Sequence, residues 1–463
     1  MQSNEPTKAN RLGTEKVSRL LPGFAIPSII AMLVNALYNI VDQIFIGNGV
    51  GYLGNAATNV AFPLSTIALS VALLLGQGGA SKQNLELGAG RQERANKTVG
   101  NMITMQILFS VVLLVLSLLL LEPMLHLFGS TPDVLPFAMD YTQIIVLGLP
   151  FVIISTGLNH SIRADGSPVY SMASMLVGAV LNTILDPLFI FGFHWGMQGA
   201  AWATVIGQVA GCIMSALYLP RYKHVKLTKS AFRLDRSICG SICSLGVASF
   251  ANQLAMCVVQ IVMNNSMTYY GALSAYGKEI PLACVGIVMK VNMIFMAVVI
   301  GIGQGSQPIV SYNYGARNYK RVRETYLLAA LSATLISVVV FVVFQLFPHQ
   351  IISLFGEGSP AYFRFAERCF RIFLFMTFVN GIQPVTTVFF TSIGKAAKGI
   401  FIALTRQIIC LVPLILLFPL FWGIDGIMYA APVADAAAFV LAAIFVYREF
   451  QKMRRMEKET VKA

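Results

Sequence analysis

Gly76-Gln77-Gly78, followed by Gly88-Ala89 and then Arg94, returns without a gap as Gly303-Gln304-Gly305, Gly315-Ala316 and Arg321. The same offset of 227 residues pairs Gly196, Gly199 and Ala203 with Gly423, Gly426 and Ala430. Two separate segments matching at one spacing mark an internal duplication, an arrangement from which transport folds are commonly built. The chain between the matched segments shows what is duplicated. Of its 463 residues, 56% are hydrophobic and only 11% charged, and the mean hydropathy is +0.72. Soluble domains carry roughly 25% charged residues, so this is a polytopic membrane protein. At roughly 20 apolar residues per span, the length holds about a dozen helices. No room is left for an extramembrane catalytic or nucleotide-hydrolysing domain.

Apolar runs broken by Gly, Pro or charge place spans 1 to 6 at 22–47, 57–80, 98–121, 137–159, 168–191 and 199–220. Spans 7 to 12 fall at 238–267, 280–307, 324–347, 363–391, 397–418 and 426–447. The expected organisation is an N-terminal segment 1–21, a six-helix bundle 22–220, a basic linker 221–237, a second six-helix bundle 238–447 and a tail 448–463. Six spans per half is an even number, so the bundles share one orientation and are related by a pseudo-twofold axis along the membrane normal. The fold class is therefore all-α with 12 transmembrane helices.

A net charge of +13 invites a nucleic-acid reading, but its placement argues for another. Loops 48–56, 122–136, 192–198 and 422–425 hold no Lys or Arg, whereas the linker carries Arg221, Lys223, Lys226, Lys229, Arg233 and Arg236. This positive-inside asymmetry puts both termini in the cytoplasm and the basic charge at an anionic leaflet. Membrane lipids, not nucleic acid, are the expected neighbours. No cleavable signal peptide is evident, so span 1 is expected to serve as an uncleaved anchor. The seven cysteines lie mostly inside apolar runs without metal-ligand spacing and are expected to be inert.

Ionisable residues inside spans are functional candidates by default, because an unpaired charge in hydrocarbon costs at least ~2.5 kcal/mol. Asp42 lies about 20 residues into span 1 and Asp186 about 18 into span 5, roughly 30 Å from the cytoplasmic ends at 1.5 Å per residue. Asn182 sits one turn deeper on the face of Asp186, and Thr204 and Tyr141 reach a similar depth from spans 6 and 4. Two carboxylates in a poorly solvated site cannot both ionise cheaply, so such a pair takes up a proton or recruits a cation. An oxygen-only set suits a hard ion such as Na⁺ and not a soft metal. In the second half, Lys290 and Asp435 share a mid-membrane depth and are expected to form a neutralising pair, with a role in substrate contact or protonation as the alternative. The 20 methionines and many aromatics mostly pack against helices and lipid, with a minority expected to line a central cleft. Pro27 and Pro384 remove backbone donors inside spans and permit bends. Phosphate-binding glycine loops, HExxH and nucleophilic triads are missing. No enzymatic activity and no cofactor are expected.

Several of these stretches together resemble the multidrug and toxic compound extrusion (MATE) family, in particular its bacterial DinF-like and MepA-like branch. They are Leu37-Tyr38-Asn39-Ile40-Val41-Asp42, the repeated Gly-Gln-Gly, Arg163-Ala164-Asp165-Gly166, Leu181-Asn182, Leu185-Asp186-Pro187, Gly199-Ala200-Ala201-Trp202-Ala203-Thr204, and Pro432 with Asp435. The similarity runs from about residue 15 to 448. It implies a V-shaped pair of six-helix bundles in the bacterial cytoplasmic membrane. It further implies export of amphipathic, often cationic drugs and other small organic cations by alternating access, in exchange for H⁺ or Na⁺. In that branch a cation or proton site in the N-terminal lobe corresponds to Asp42, Asn182, Asp186 and Thr204. Tyr38, Tyr141 and Asn159 match positions lining the nearby cavity, and Pro27 matches a proline whose bending couples protonation to release. The acid that another branch carries in span 7 has no counterpart, since Gln260 stands there with no Asp or Glu. A monomer is expected. Two other readings remain open: a flippase or exporter for a specific lipid-linked or metabolite cargo, and an intramembrane aspartyl protease using Asp42 and Asp186. The protease reading lacks the Gly-x-Gly-Asp context and leaves the duplication unexplained.

Overall fold

The computed structural model describes residues 10–277, 279–354 and 359–462. The first nine residues of the N-terminal segment and Ala463 lie outside that range. Eleven helices are long and apolar enough to cross a membrane, and a twelfth span is a pair bent by 42°. In the first half they are α1 Val17–Gly49, α2 Tyr52–Gly88, α3 Gln92–Leu119, α4 Leu135–Ala164, α5 Pro168–Pro187 and α6 Gly196–Ala216. The second half contains α7 Arg236–Ala272, α8 Glu279–Gly315, α9 Tyr319–Leu346, the bent pair α10 (Pro360–Phe373 with Thr377–Ser392), α11 Ala396–Trp422 and α12 Ile424–Lys462. The described residues contain no strand.

Several helices outrun their apolar stretches, and this corrects two expectations. Spans 2 and 8, expected to end at 80 and 307 just past Gly76-Gln77-Gly78 and Gly303-Gln304-Gly305, continue as helix to Gly88 and Gly315, so both triplets lie well inside α2 and α8. The extra turns are polar yet buried, so tertiary contacts hold them in the helix. Fully buried Glu86 takes Lys82 at 2.7 Å and Arg91 at 2.5 Å, and Asn313 Nδ2 donates to the Leu12 carbonyl at 2.8 Å. Likewise the tail after 447 continues α12 as helix to Lys462.

The basic linker is fastened to the first bundle, not strung between bundles. Asn101 Nδ2 donates to the carbonyls of Ala231 and Arg233, both at 3.0 Å, and its Oδ1 accepts from the Asp235 amide at 2.7 Å. Asp165, just past α4, accepts from the amides of Lys223 (2.7 Å) and His224 (2.9 Å) and from the Tyr218 hydroxyl (2.8 Å). Asp235 then caps α7 by accepting from the amides of Ser237 and Ile238. A hydrogen bond to the Asp165 carboxylate raises the His224 pKa above its usual range.

At the membrane side bearing this linker the two bundles interlock. Leu20, Leu21, Phe24 and Ala25 of α1 belong to the hydrophobic core of the second bundle. Ile238 and Ile242 of α7 belong to the first bundle's core with Leu75, Met102 and Leu158. Gly305, which repeats Gly78, and Gly301, which has no glycine counterpart in the first half, make this exchange sterically feasible. A Cβ on Gly305 would lie 2.5 Å from Ala25 Cα, and one on Gly301 would lie 2.6 Å from Ile29 Cα. Gly78 similarly packs on the Ile242 carbonyl. The first-half triplet thus brings α2 against α7, and its repeat brings α8 against α1.

Candidate functional site

Away from the linker end, α1 turns its other half into the first bundle. With 3.6 residues per turn, Asp42 lies on the side of α1 roughly opposite Ile29, so a helix that touches the second bundle through Ala25 and Ile29 presents Asp42 to α5. There the Asp42 and Asp186 carboxyl groups meet side chain to side chain. Asp186 is fully buried. Asp42 Oδ1 is buried without a hydrogen-bond partner. Asn182, one turn before Asp186, lies 3.3 Å from Asp186 Oδ2 and 3.2 Å from the Thr204 hydroxyl. With its amide nitrogen toward the carboxylate and its oxygen toward Thr204, both contacts are satisfied, and the oxygen also accepts from the Thr204 amide at 3.2 Å. The phenols of Tyr38 and Tyr141 lie close enough to both carboxyl groups to sense their charge, and Tyr141 reaches the Thr204 hydroxyl. Two carboxyl groups in contact need a proton or a cation between them. The amide and hydroxyl oxygens around them are suited to a hard ion.

α5 ends one residue after the acid and is prolonged by a π-helical turn, Leu188–Gly192. Such wide turns shift the register of side chains and recur near functional sites.

Asn159 is placed elsewhere. Its Oδ1 accepts from Ser174 at 2.6 Å, and Ser174 precedes Asp186 by twelve residues of α5, about 18 Å along the axis. It lines a cavity of about 110 Å³ that reaches the acid pair's neighbours Tyr38, Asn182 and Thr204 and also touches Arg163 and Gln208. That space admits several waters and falls short of the ~300 Å³ at which drug-sized pockets begin. It suits ions and water better than an amphipathic cargo. Arg163, buried at its inner end, stands 3.0 Å from His160 Nδ1.

The expected pair Lys290 and Asp435 does not form. Asp435, buried on α12, is engaged by Arg406 Nε at 2.5 Å and by Asn380 Nδ2 at 3.3 Å. Arg406 lies on a π-helical turn of α11, Thr405–Leu411. Depth alone had matched Lys290 to Asp435, but Lys290 lies on the opposite side of α8 from the core in which Asp435 is buried. Arg406 was legible as an ionisable residue inside span 11. Buried Glu86 and Glu449 were not, because both lie in turns that hydropathy assigns to loop or tail. Glu449 is held by Lys395 and, at 2.8 Å, by Lys398. Pro27 sits in an unbroken α1, where Ser28 Oγ donates to the Phe24 carbonyl at 2.9 Å. Among the described residues no cluster of three or more His, Cys, Asp or Glu side chains forms a metal site.

Two interlocked bundles crossing a membrane, with Asp42 on the helix they share set against buried Asp186 of α5, define a two-lobed membrane transporter. The MatE family model matches residues 27–188 and 245–417. The chain belongs to this MATE family. It is 24% identical to the multidrug export protein MepA of Staphylococcus saprophyticus over 429 residues, 92% of each chain. To MepA of Staphylococcus aureus (strain MRSA252) it is 23% identical, over 93% of this chain and 94% of the relative. Among solved structures, a MOP-superfamily transporter from Pyrococcus furiosus shares the fold with a TM-score of 0.90 at 22% identity, covering 97% of this chain and 100% of that one. A MATE multidrug resistance transporter in an outward-facing conformation matches with a TM-score of 0.90 and 22% identity, over 97% and 99% of the two chains.

Proposed function

We propose that the protein is a secondary antiporter that exports amphipathic organic compounds in exchange for H⁺ or Na⁺ by alternating access. The observation that carries this reading is the division of α1. Its linker-end half is packed in the second bundle's core, its other half holds Asp42 against Asp186, and Pro27 lies beside the inter-bundle contacts of Ala25 and Ile29. An ion arriving at the acid pair changes the charge on the helix that joins the lobes. Pro27, whose ring nitrogen donates no hydrogen bond, is where that helix can bend most cheaply. Asp42, Asp186, Asn182 and Thr204 form the coupling site in this scheme. Tyr38 and Tyr141 border it, and Asn159 holds the inner part of the cavity. Broad export of drugs, the activity named for the MepA relatives, fits a cargo space between the lobes, since the first-bundle cavity is too small for it.

The test is uptake of a fluorescent amphipathic dye into proteoliposomes under an imposed Na⁺ or pH gradient. Wild-type protein should respond to one of the two gradients, and Asp42→Asn and Asp186→Asn should each abolish that response while leaving dye binding in place. Unchanged gradient-driven uptake in Asp42→Asn would remove the coupling assignment.

A further inference from the structure

Lys290 is exposed in the middle of a membrane-spanning helix. It is absent from every ion pair and side-chain hydrogen bond among the described residues, and Asp435, the acid expected to pair with it, is committed to Arg406. An ammonium group at that depth is too costly to face hydrocarbon, so its direction is informative. Val288, Phe295 and Val299 of α8 lie in the second bundle's core, ~140–180° around the helix from Lys290. Gly301 and Gly305, which meet α1 at Ile29 and Ala25, lie ~20° and ~60° from it. Gln307, which donates to the Gln77 carbonyl of α2 at 3.1 Å, lies ~100° away on the other side. Lys290 therefore points between α1 and α2, into the space between the lobes.

Its depth follows from the same contacts. Lys290 is eleven residues from Gly301, and Ile40 is eleven residues from Ile29 in the antiparallel α1, each about 16 Å from the crossing. The ammonium thus stands level with the acid pair but in a separate compartment, because Asp42 faces away from this space into the first bundle. On α7, Gln260 and Asn264 share the side that carries Gly246, and Gln260 Nε2 donates to Asn264 Oδ1 at 3.2 Å. These polar, uncharged groups add hydrogen-bonding capacity to the same wall.

We infer that Lys290 is a cargo-binding residue that receives an anionic group, so that the preferred cargo is an amphipathic carboxylate, free or zwitterionic, and not a compound whose only charge is positive. This narrows the cargo of the antiport reading above and rests on it for its meaning in transport. An uncompensated ammonium attracts a carboxylate and repels a cation across the same gap. The neutral polar groups of α7 and the apolar face of α1 at Ile40 leave that preference uncancelled.

The test uses full-length protein in phosphatidylcholine nanodiscs and two probes with one chromophore: rhodamine B, a cation bearing a free carboxylate, and its ethyl ester, which has only the cation. Binding is read by fluorescence anisotropy for wild type, Lys290→Arg, Lys290→Gln and Lys290→Met. Wild type and Lys290→Arg should favour rhodamine B about fivefold, the upper range for a solvated ion pair. Lys290→Gln and Lys290→Met should lose the preference while retaining the ester, and ester binding verifies that each variant is folded. Equal binding of both probes by wild type, or a preference that survives in Lys290→Gln, would overturn the inference. Loss of the preference in phosphatidylglycerol nanodiscs would assign the ammonium to a lipid headgroup and overturn it as well. No gradient enters the assay, so a failure of ion coupling in proteoliposomes is read separately.

Discussion

At the inter-lobe crossing the closeness of Gly301 to Ile29 sets the size of the effect expected from Gly301→Ala. A Cβ on Gly301 would stand 2.6 Å from Ile29 Cα and 2.8 Å from Ile29 N, both backbone atoms. Carbon atoms in contact prefer about 3.5–4.0 Å, so Gly301→Ala must push α1 and α8 apart by about 1 Å. Overpacking of this kind costs ~1–3 kcal/mol. The cost falls on the arrangement in which the linker ends are interlocked and is relieved when they separate, so the ratio of closed to open linker ends should drop by about 5- to 150-fold. Gly303 supplies the internal control. A Cβ there would meet Val388 Cγ2 at 3.4 Å, within the second bundle and at ordinary contact distance. Gly303→Ala should leave the ratio unchanged. Spin labels on Ala89 and Lys320, exposed at the linker ends of α2–α3 and α8–α9, report the separation by pulsed electron resonance. A short-distance population that is as large in Gly301→Ala as in wild type would refute the argument that this crossing sets the closed state.

Three further outcomes are expected. Arg406→Gln leaves Asp435 buried with only the Asn380 amide and should lower thermal stability by about 3–5 kcal/mol, the usual loss on breaking a buried pair from one side. Asp435→Asn in the same chain should recover most of it, and no recovery would count against the pair. Lys290→Gln, by contrast, should leave the melting temperature unchanged, since Lys290 shares no ion pair with Asp435. For His224 the folded pKa is raised by its bond to Asp165. Its contribution to linker docking is therefore complete below the ordinary value of about 6.5 and is lost as pH rises through the raised value. Amide exchange over residues 222–226, corrected for intrinsic rates, should show weaker protection at high pH than at about pH 6. Asp165→Asn should remove that dependence, and protection that grows with pH would reverse the sign of the argument.

Much of this organisation could be read along one dimension. Membrane thickness sets the length of an apolar helix, charge asymmetry sets its direction, and a rise of 1.5 Å per residue turns sequence position into depth. Span number, duplication and the common depth of Asp42, Asp186, Asn182, Thr204 and Tyr141 follow from that arithmetic. By the same arithmetic Asn159 falls near the other end of span 4, and its bond to Ser174 lies some 18 Å of helix from Asp186. The MATE resemblance then converted depth into expected roles.

Depth does not specify which helices are neighbours or how each is rotated. Asp435 and Lys290 matched in depth and still do not meet, because Asp435 is buried toward Arg406 while Lys290 faces the other way around α8. Hydropathy ended α2 and α8 too early, since it cannot anticipate that Glu86 and Asn313 find partners on other segments. Nor could any linear pattern reveal that the first turns of α1 and α7 are exchanged between the two cores. The apolar run determined what enters the membrane, because that depends only on transfer from water. Tertiary packing decided which side of each helix faces protein, ion site or cleft, because that depends on close contacts such as Gly301 on Ile29 that exist only once the bundles have assembled.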